Sequence, residues 1–172
     1  MASILENLIE VLDKENTEYK KLIELADKKT STIVKGDLES LAKITDDEQV
    51  IVGRVQGMEK QRTKVLADIA NVVNRDVETL NLSNLIQMLE KMPEQQKMLI
   101  GIHKELTETM DRLRLINNKN QLLLTERLEM VDFNLNMIKA LKSAPQTANY
   151  TKDAYNDGTA LGILHGGFDA KQ

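Results

Sequence analysis

The residue types that usually carry enzyme chemistry are few in this chain, and none is placed for it. The chain has two histidines and no cysteine. A di-iron site in a helical bundle uses a Glu-x-x-His spacing, but Ile100 stands three residues before His103. His165 precedes Gly166 and Gly167, as in the oxyanion loop of some esterases, yet no Gly-x-Ser-x-Gly nucleophile motif accompanies it. We therefore expect no enzyme activity, no metal and no cofactor.

Charge and hydropathy exclude two further classes of function. The formal net charge is −4, and basic residues form no stripe that would neutralise phosphates, so we expect no nucleic-acid binding. No apolar run approaches the ~20 residues that a membrane span needs, so we expect no membrane insertion. Glu6 lies where a signal peptide would be apolar, and the absence of cysteine fits a reducing compartment. These features predict a soluble, cytoplasmic protein.

Apolar residues recur at alternating spacings of three and four from Leu5 to Leu141, the pattern of amphipathic helices that pack as coiled coils. Gly36 suits the left-handed position that ends a helix, and Asp37 suits the cap of the next one, so the first two helices should form a tight antiparallel hairpin. The pattern predicts helices over about 4–35, 38–73, 82–91 and 94–142. We expect an all-α fold: an elongated antiparallel bundle of three long coiled-coil helices plus one short helix in residues 1–142, followed by a flexible C-terminal tail in residues 143–172.

Polar residues interrupt these apolar stripes at a few positions. Glu15, Lys29, Glu48 and Arg62 fall on the stripes of the first two helices. Ionic residues at such positions can select the pairing register while costing stability. Asn117 and Asn120 interrupt the stripe of the last helix. They can set register, bend the helix, or mark the point where the bundle opens towards a partner.

The last predicted helix is longer than either helix of the hairpin by about 13 residues, or roughly 20 Å at the helical rise. Its final turns should therefore expose apolar side chains that the hairpin does not cover, and exposed apolar helix faces usually bind a partner. This predicted face consists of Leu124, Leu128, Val131, Leu135, Ile138 and Leu141.

The order and spacing of several short runs resemble the FlgN-type family of flagellar export chaperones. The runs that carry this resemblance are Glu18-Tyr19, Lys28-Lys29, Gly36-Asp37-Leu38, Asn117 with Asn120, and Tyr155-Asn156-Asp157-Gly158. The resemblance implies a cytoplasmic chaperone without enzyme activity that binds the C-terminal helical segment of hook-filament junction proteins. Such a chaperone prevents their premature assembly and delivers them to the type III export gate.

The resemblance also suggests roles for individual residues. We expect the substrate protein to bind at Asn117, Asn120 and the predicted face from Leu124 to Leu141. The resemblance implies that tail tyrosines contact the export gate, with Tyr155 a better match than Tyr150. Two other interpretations stay open: a coiled-coil scaffold or tether without a secreted client, and a type III secretion chaperone for a different client. A free apolar helix face also makes a homodimer possible.

Overall fold

A computed structural model describes residues 2–76 and 80–143 of the chain. Within these ranges it contains four α-helices and no strand: α1 (Ala2–Lys35), α2 (Leu38–Val72), α3 (Leu82–Met88) and α4 (Pro93–Ser143), with a 3₁₀ turn (Leu89–Lys91) between α3 and α4. The predicted all-α bundle of three long helices and one short helix is confirmed. The predicted tail lies outside the described residues beyond Ser143, and the division of the chain at residue 142 stays a prediction.

The chain divides into two compact units, Met1–Val131 and Asp132–Gln172. The first unit contains α1, α2, α3 and most of α4. In the second unit the structure describes residues 132–143, which are the last turns of α4. None of the helices formed by the described residues is long and apolar enough to cross a membrane.

The turn between α1 and α2 forms as the sequence predicts. Gly36 adopts a φ of 73°, and its amide donates to the Thr32 carbonyl at 3.0 Å, which closes the last turn of α1. The Asp37 carboxylate caps α2 by accepting a 3.0 Å hydrogen bond from the Ser40 amide. Because only these two residues separate the helices, α1 and α2 must return antiparallel. We call this unit the hairpin, and Ile33 to Leu41 its tip.

Two of the ion pairs that cross the hairpin use all four polar residues predicted on its stripes. Lys29 Nζ lies 2.7 Å from a Glu48 carboxylate oxygen, and the Arg62 guanidinium lies 3.3 Å from Glu15. The two partners' residue numbers have the same sum in both pairs, so both pairs report the same antiparallel register. Polar groups on the two stripes therefore meet their opposite charge rather than an apolar neighbour.

Buried apolar side chains form a large and a small cluster in the first unit. The large cluster joins the beginning of α1 to the end of α2, α3 and the beginning of α4, and its members include Leu5, Leu8, Leu12, Val65, Ile69, Leu85, Leu99, Ile102 and Leu106. The small cluster lies nearer the tip of the hairpin and consists of Leu22, Ile51 and Val55. Three buried polar residues of α1, namely Glu15, Asn16 and Glu18, lie between the two clusters along that helix. We call these three residues the polar layer.

The fourth helix runs parallel to α1, since its early residues pack beside Leu5 and its later ones beside Ala26. Its buried stripe follows the apolar residues Leu99, Ile102 and Leu106, and then continues through Thr109 rather than through the apolar Met110. The Met110 side chain is 38% exposed, whereas Thr109 is 7% exposed. Thr109 tolerates burial because its hydroxyl donates to the Glu105 carbonyl in the same helix at 2.8 Å.

Candidate functional site

The buried stripe of α4 ends at an asparagine. Asn120 is 3% exposed, and its side-chain amide donates to the Ala26 carbonyl at 2.8 Å. Its side-chain oxygen accepts a 2.6 Å hydrogen bond from the Thr30 hydroxyl. No later residue of α4 is buried in the part of the chain that the structure describes. We call Asn120 with Ala26 and Thr30 the clasp.

The space beside the clasp is incompletely filled. A cavity of about 310 Å³ lies there, bordered by apolar side chains and by the Lys29–Glu48 ion pair. Asn117 and Gln121 line its α4 side, and both are exposed. Larger grooves lie beside Ile9 and beside Ile23 of α1, so incomplete filling between the helices is not confined to the clasp.

A second cavity, which we call the tip cleft, lies one turn further along α4. It has a volume of about 250 Å³ between the tip of the hairpin and α4. Its apolar lining consists of Ile33, Leu38 and Leu41 from the tip and Leu124, Leu128 and Val131 from α4. Leu38 is 77% exposed although it begins a helix beside this cleft. An apolar side chain from a partner could therefore enter the cleft and bury leucine surface from two elements at once.

Beyond the tip cleft, α4 exposes a continuous apolar stripe. Every described residue of α4 from Leu128 onward is exposed. The apolar residues of these turns keep the three- and four-residue spacing of the buried residues Leu99, Ile102 and Leu106. We call this stripe the distal face; it contains Leu128 (65% exposed), Val131 (52%), Leu135 (47%), Ile138 (48%) and Leu141 (72%). The apolar spacing of α4 thus continues beyond its last buried residue.

The other side of the same turns carries a second apolar row that the sequence analysis did not single out. Met130, Phe133 and Met137 are 55%, 66% and 48% exposed. Their spacing of three and four residues places them on one face of the helix, roughly opposite Leu128. The signal that could have identified this row is the presence of Phe133, one of only five aromatic residues, within an i, i+3, i+7 apolar pattern.

The pKa values of Glu15 in the polar layer and of the neighbouring Tyr19 are both raised. Glu15 is fully buried, with one carboxylate oxygen 3.3 Å from Arg62 and the other without a hydrogen-bond partner. Burial raises the pKa of Glu15, and the Arg62 charge partly opposes this. Burial and the carboxylates of Glu15 and Glu59 raise the pKa of Tyr19 to about 12. The described residues contain no group of three or more His, Cys, Asp or Glu side chains that could hold a metal ion.

The predicted site residues therefore fall into three groups. Asn120 is buried in the clasp, Asn117 is exposed beside it, and Leu124 is half-buried at the tip cleft. The remaining predicted residues of α4 form the exposed distal face. Tyr150 and Tyr155 lie outside the described residues.

One comparison with known proteins identifies a family. The family model described as FlgN protein matches residues 1–157 of the chain. The match spans α1 to α4 and most of the chain's length. No curated protein and no solved structure gives a significant match.

Proposed function

The chain belongs to the FlgN family of flagellar export chaperones, and from this premise we propose that its clients are hook-filament junction proteins. It binds the C-terminal helical segment of these proteins in the cytoplasm, prevents their premature assembly and delivers them to the type III export gate. These steps require binding and release, and none of them requires a catalytic group. The distal face of α4 is the single observation that supports this proposal most strongly.

The distal face has the properties of a helix-binding surface. Its residues continue the heptad spacing of the bundle core, so a partner helix can pack against them as the hairpin packs upstream. Exposing a row of apolar side chains to water is unfavourable in free energy, and a partner that covers the row removes this cost. We propose that the client helix occupies this surface.

The hairpin contributes to the same site at its tip. Leu124 and Leu128 line the tip cleft together with Leu38, and all three belong to the first unit, so a client helix that covers Leu128 would also meet Leu38. We propose that one apolar side chain of the client enters this cleft. Asn117, which is exposed just upstream, supplies an amide for a polar contact at that end of the client helix.

Release of the client follows from the thermodynamics of this kind of binding. A junction-protein terminus that is unordered before assembly must become helical when it binds, and ordering of this type costs about 2–5 kcal/mol. That cost lowers the affinity obtained from a given apolar area. A chaperone that hands its client to another machine benefits from such moderate affinity.

We propose that the two tail tyrosines contact the export gate, with Tyr155 making the larger contribution. The family match extends to residue 157 and therefore includes both Tyr150 and Tyr155. We expect Tyr155→Ala to weaken binding to the purified gate protein while client binding is unchanged. Equal gate binding by the variant and the parent would contradict this assignment.

The client site is tested by adding charge to the distal face. We expect the double variant Leu128→Glu with Leu135→Glu to lose binding to a purified hook-filament junction protein by calorimetry, because two carboxylates would be desolvated in the interface. Both side chains are exposed in the free chain, so the bundle should keep its helix content and melting temperature. Asn136→Glu is the control: it adds one carboxylate at an exposed position of the same turns but on another side of the helix.

Two outcomes would contradict the proposal. Undiminished junction-protein binding by the folded double variant would remove the distal face from the site. Absence of binding by the parent chain, together with a tight homodimer that the double variant disrupts, would favour a scaffold without a client.

A further inference from the structure

We propose that Asn120 is a positioning residue, whose clasp to α1 sets the register of α4 on the hairpin and thereby determines which residues of α4 emerge as the client-binding face. The effect of Asn120 on client binding rests on the proposed function, whereas its effect on the register of α4 rests on the clasp alone. Asn120 itself is not expected to touch the client, since it is 3% exposed and both polar groups of its side chain bond to α1.

The apolar contacts of α4 do not select a register strongly. Its buried stripe repeats about every seven residues, so a slide of one heptad, roughly 10 Å, would bring apolar residues into equivalent places. The slide would put Leu113 or Arg127 at the position of Asn120. A leucine there would make neither bond of the Asn120 amide, and the Thr30 hydroxyl would keep only the 3.1 Å hydrogen bond that it already donates to the Ala26 carbonyl. An arginine would bring a cation into a buried position. The observed register is therefore the one that makes every hydrogen bond of the clasp.

Other polar contacts between α1 and α4 are weaker determinants. The Arg112–Asp27 and Lys20–Glu105 ion pairs lie at the surface, where such pairs contribute little. Thr109 is the other buried polar residue of α4 in the described chain, and its hydroxyl bonds to its own helix. The clasp therefore distinguishes the observed register from one displaced by a heptad, which the apolar repeat alone does not.

Register determines the site because the hairpin ends at a definite point along α4. In the observed register Leu124 lies half-buried at the tip cleft and Leu128 is exposed. A one-heptad slide would either draw Leu128 and Val131 alongside the hairpin or push Leu124 out beyond it. In both cases the tip cleft and the distal face would no longer present the same surface to a client.

The register can be measured directly by distances between spin labels. The chain has no cysteine, so single cysteines at the exposed positions Asp13 on α1 and Glu126 on α4 can be labelled without other changes. We expect one narrow distance distribution near about 30 Å in the parent. In Asn120→Leu we expect a second population displaced by roughly 10 Å, which is one heptad.

Client affinity should follow the population in the observed register. If nine tenths of Asn120→Leu molecules occupy the other register, apparent affinity for the junction protein falls about tenfold. The matched control is Thr109→Val, which also removes a buried polar group of α4 but should keep one register and the parent's affinity. Should Asn120→Leu fail to fold, Thr30→Val provides the same measurement by removing the donor to Asn120.

The outcomes separate the inference from the proposed function. A single unchanged distance in Asn120→Leu overturns the inference, whether or not the client still binds. A shifted distance with full client affinity overturns the link between register and the site. A shifted distance in a chain whose parent binds no junction protein supports the register role of Asn120 and refutes the proposed function.

Discussion

Removing one partner of the Glu15–Arg62 ion pair should destabilise the fold, whereas replacing both partners by apolar residues should not. Replacing Arg62 alone by methionine leaves the carboxylate of Glu15 fully buried without its counter-charge. Breaking a buried ion pair in this way costs about 3–5 kcal/mol. We expect about 3 kcal/mol, because the side chain of Arg62 is 27% exposed and water screens part of the interaction.

The double variant Glu15→Leu with Arg62→Met should instead be at least as stable as the parent. One carboxylate oxygen of Glu15 has no hydrogen-bond partner, so its desolvation is not fully compensated even in the intact pair. Replacing a buried pair by apolar residues of similar size is often neutral or stabilising by about 1–4 kcal/mol. Lys43→Met is the control, since the Lys43–Glu39 pair is exposed and its loss should have no measurable effect.

Urea unfolding followed by circular dichroism at pH 5 and pH 7 measures both effects. Because the pKa of Glu15 is raised in the folded chain, its protonated form is favoured there, and the associated stability is lost as pH rises through the folded pKa. Arg62 lowers this pKa, so in Arg62→Met it rises further and the loss of stability should be smaller at pH 5 than at pH 7. Equal destabilisation of the single and double variants, or a penalty for Arg62→Met that is the same at both pH values, would refute the reasoning.

Three further predictions concern the hairpin and the polar layer. Gly36→Ala should destabilise the chain by about 1 kcal/mol in urea unfolding, because a φ of 73° is strained for alanine. Gly57→Ala should instead stabilise the chain by about 0.5–1 kcal/mol, since open space surrounds the added methyl group. A change of the opposite sign in either variant would contradict these assignments. Asp37→Ala should lower the urea midpoint at pH 7, and the effect should shrink as the solution is acidified, because hydrogen bonds from Ser40 lower the pKa of Asp37 and the charged cap is lost as pH falls through that lowered pKa. Ultraviolet absorbance titration should find one tyrosine with a pKa of about 12 that disappears in Tyr19→Phe; an unchanged titration curve in that variant would exclude the buried phenol.

The hairpin could be predicted from sequence almost completely, because its determinants are local. The stripe of α1 from Leu5 to Ile33 needs only helical periodicity, and the turn needs only the glycine and the capping aspartate. The pairing of Glu15 with Arg62 and of Lys29 with Glu48 follows once the turn sets the register. These features require no knowledge of the third helix.

The third long helix was predicted less well, since its burial depends on two neighbours at once. An apolar Met110 looks like a better core residue than Thr109, yet the position of α4 on the hairpin turns Thr109 inward. Asn16 and Glu18 look like surface residues by type but are covered when α4 and α2 approach α1. The apolar periodicity of one helix does not show which of its residues the neighbouring helices bury.

The candidate site shows the same division between local and tertiary information. The length of α4 and its continued apolar spacing were sufficient to predict the distal face from Leu128 to Leu141. The contributions of Leu38 and Leu41 to the tip cleft required the structure, because they come from another helix. The bonds of Asn120 to Ala26 and Thr30 likewise connect residues that are far apart in sequence.

The distribution of packing along the first unit suits a chaperone that must hold its own fold while its partner comes and goes. The large apolar cluster lies on one side of the polar layer and joins all four helices. On the other side, the small cluster and the clasp hold α4 to the hairpin. Local opening is easiest where few apolar contacts oppose it. The helices around the tip cleft can therefore adjust to a client, while the large cluster beyond the polar layer keeps the chain folded.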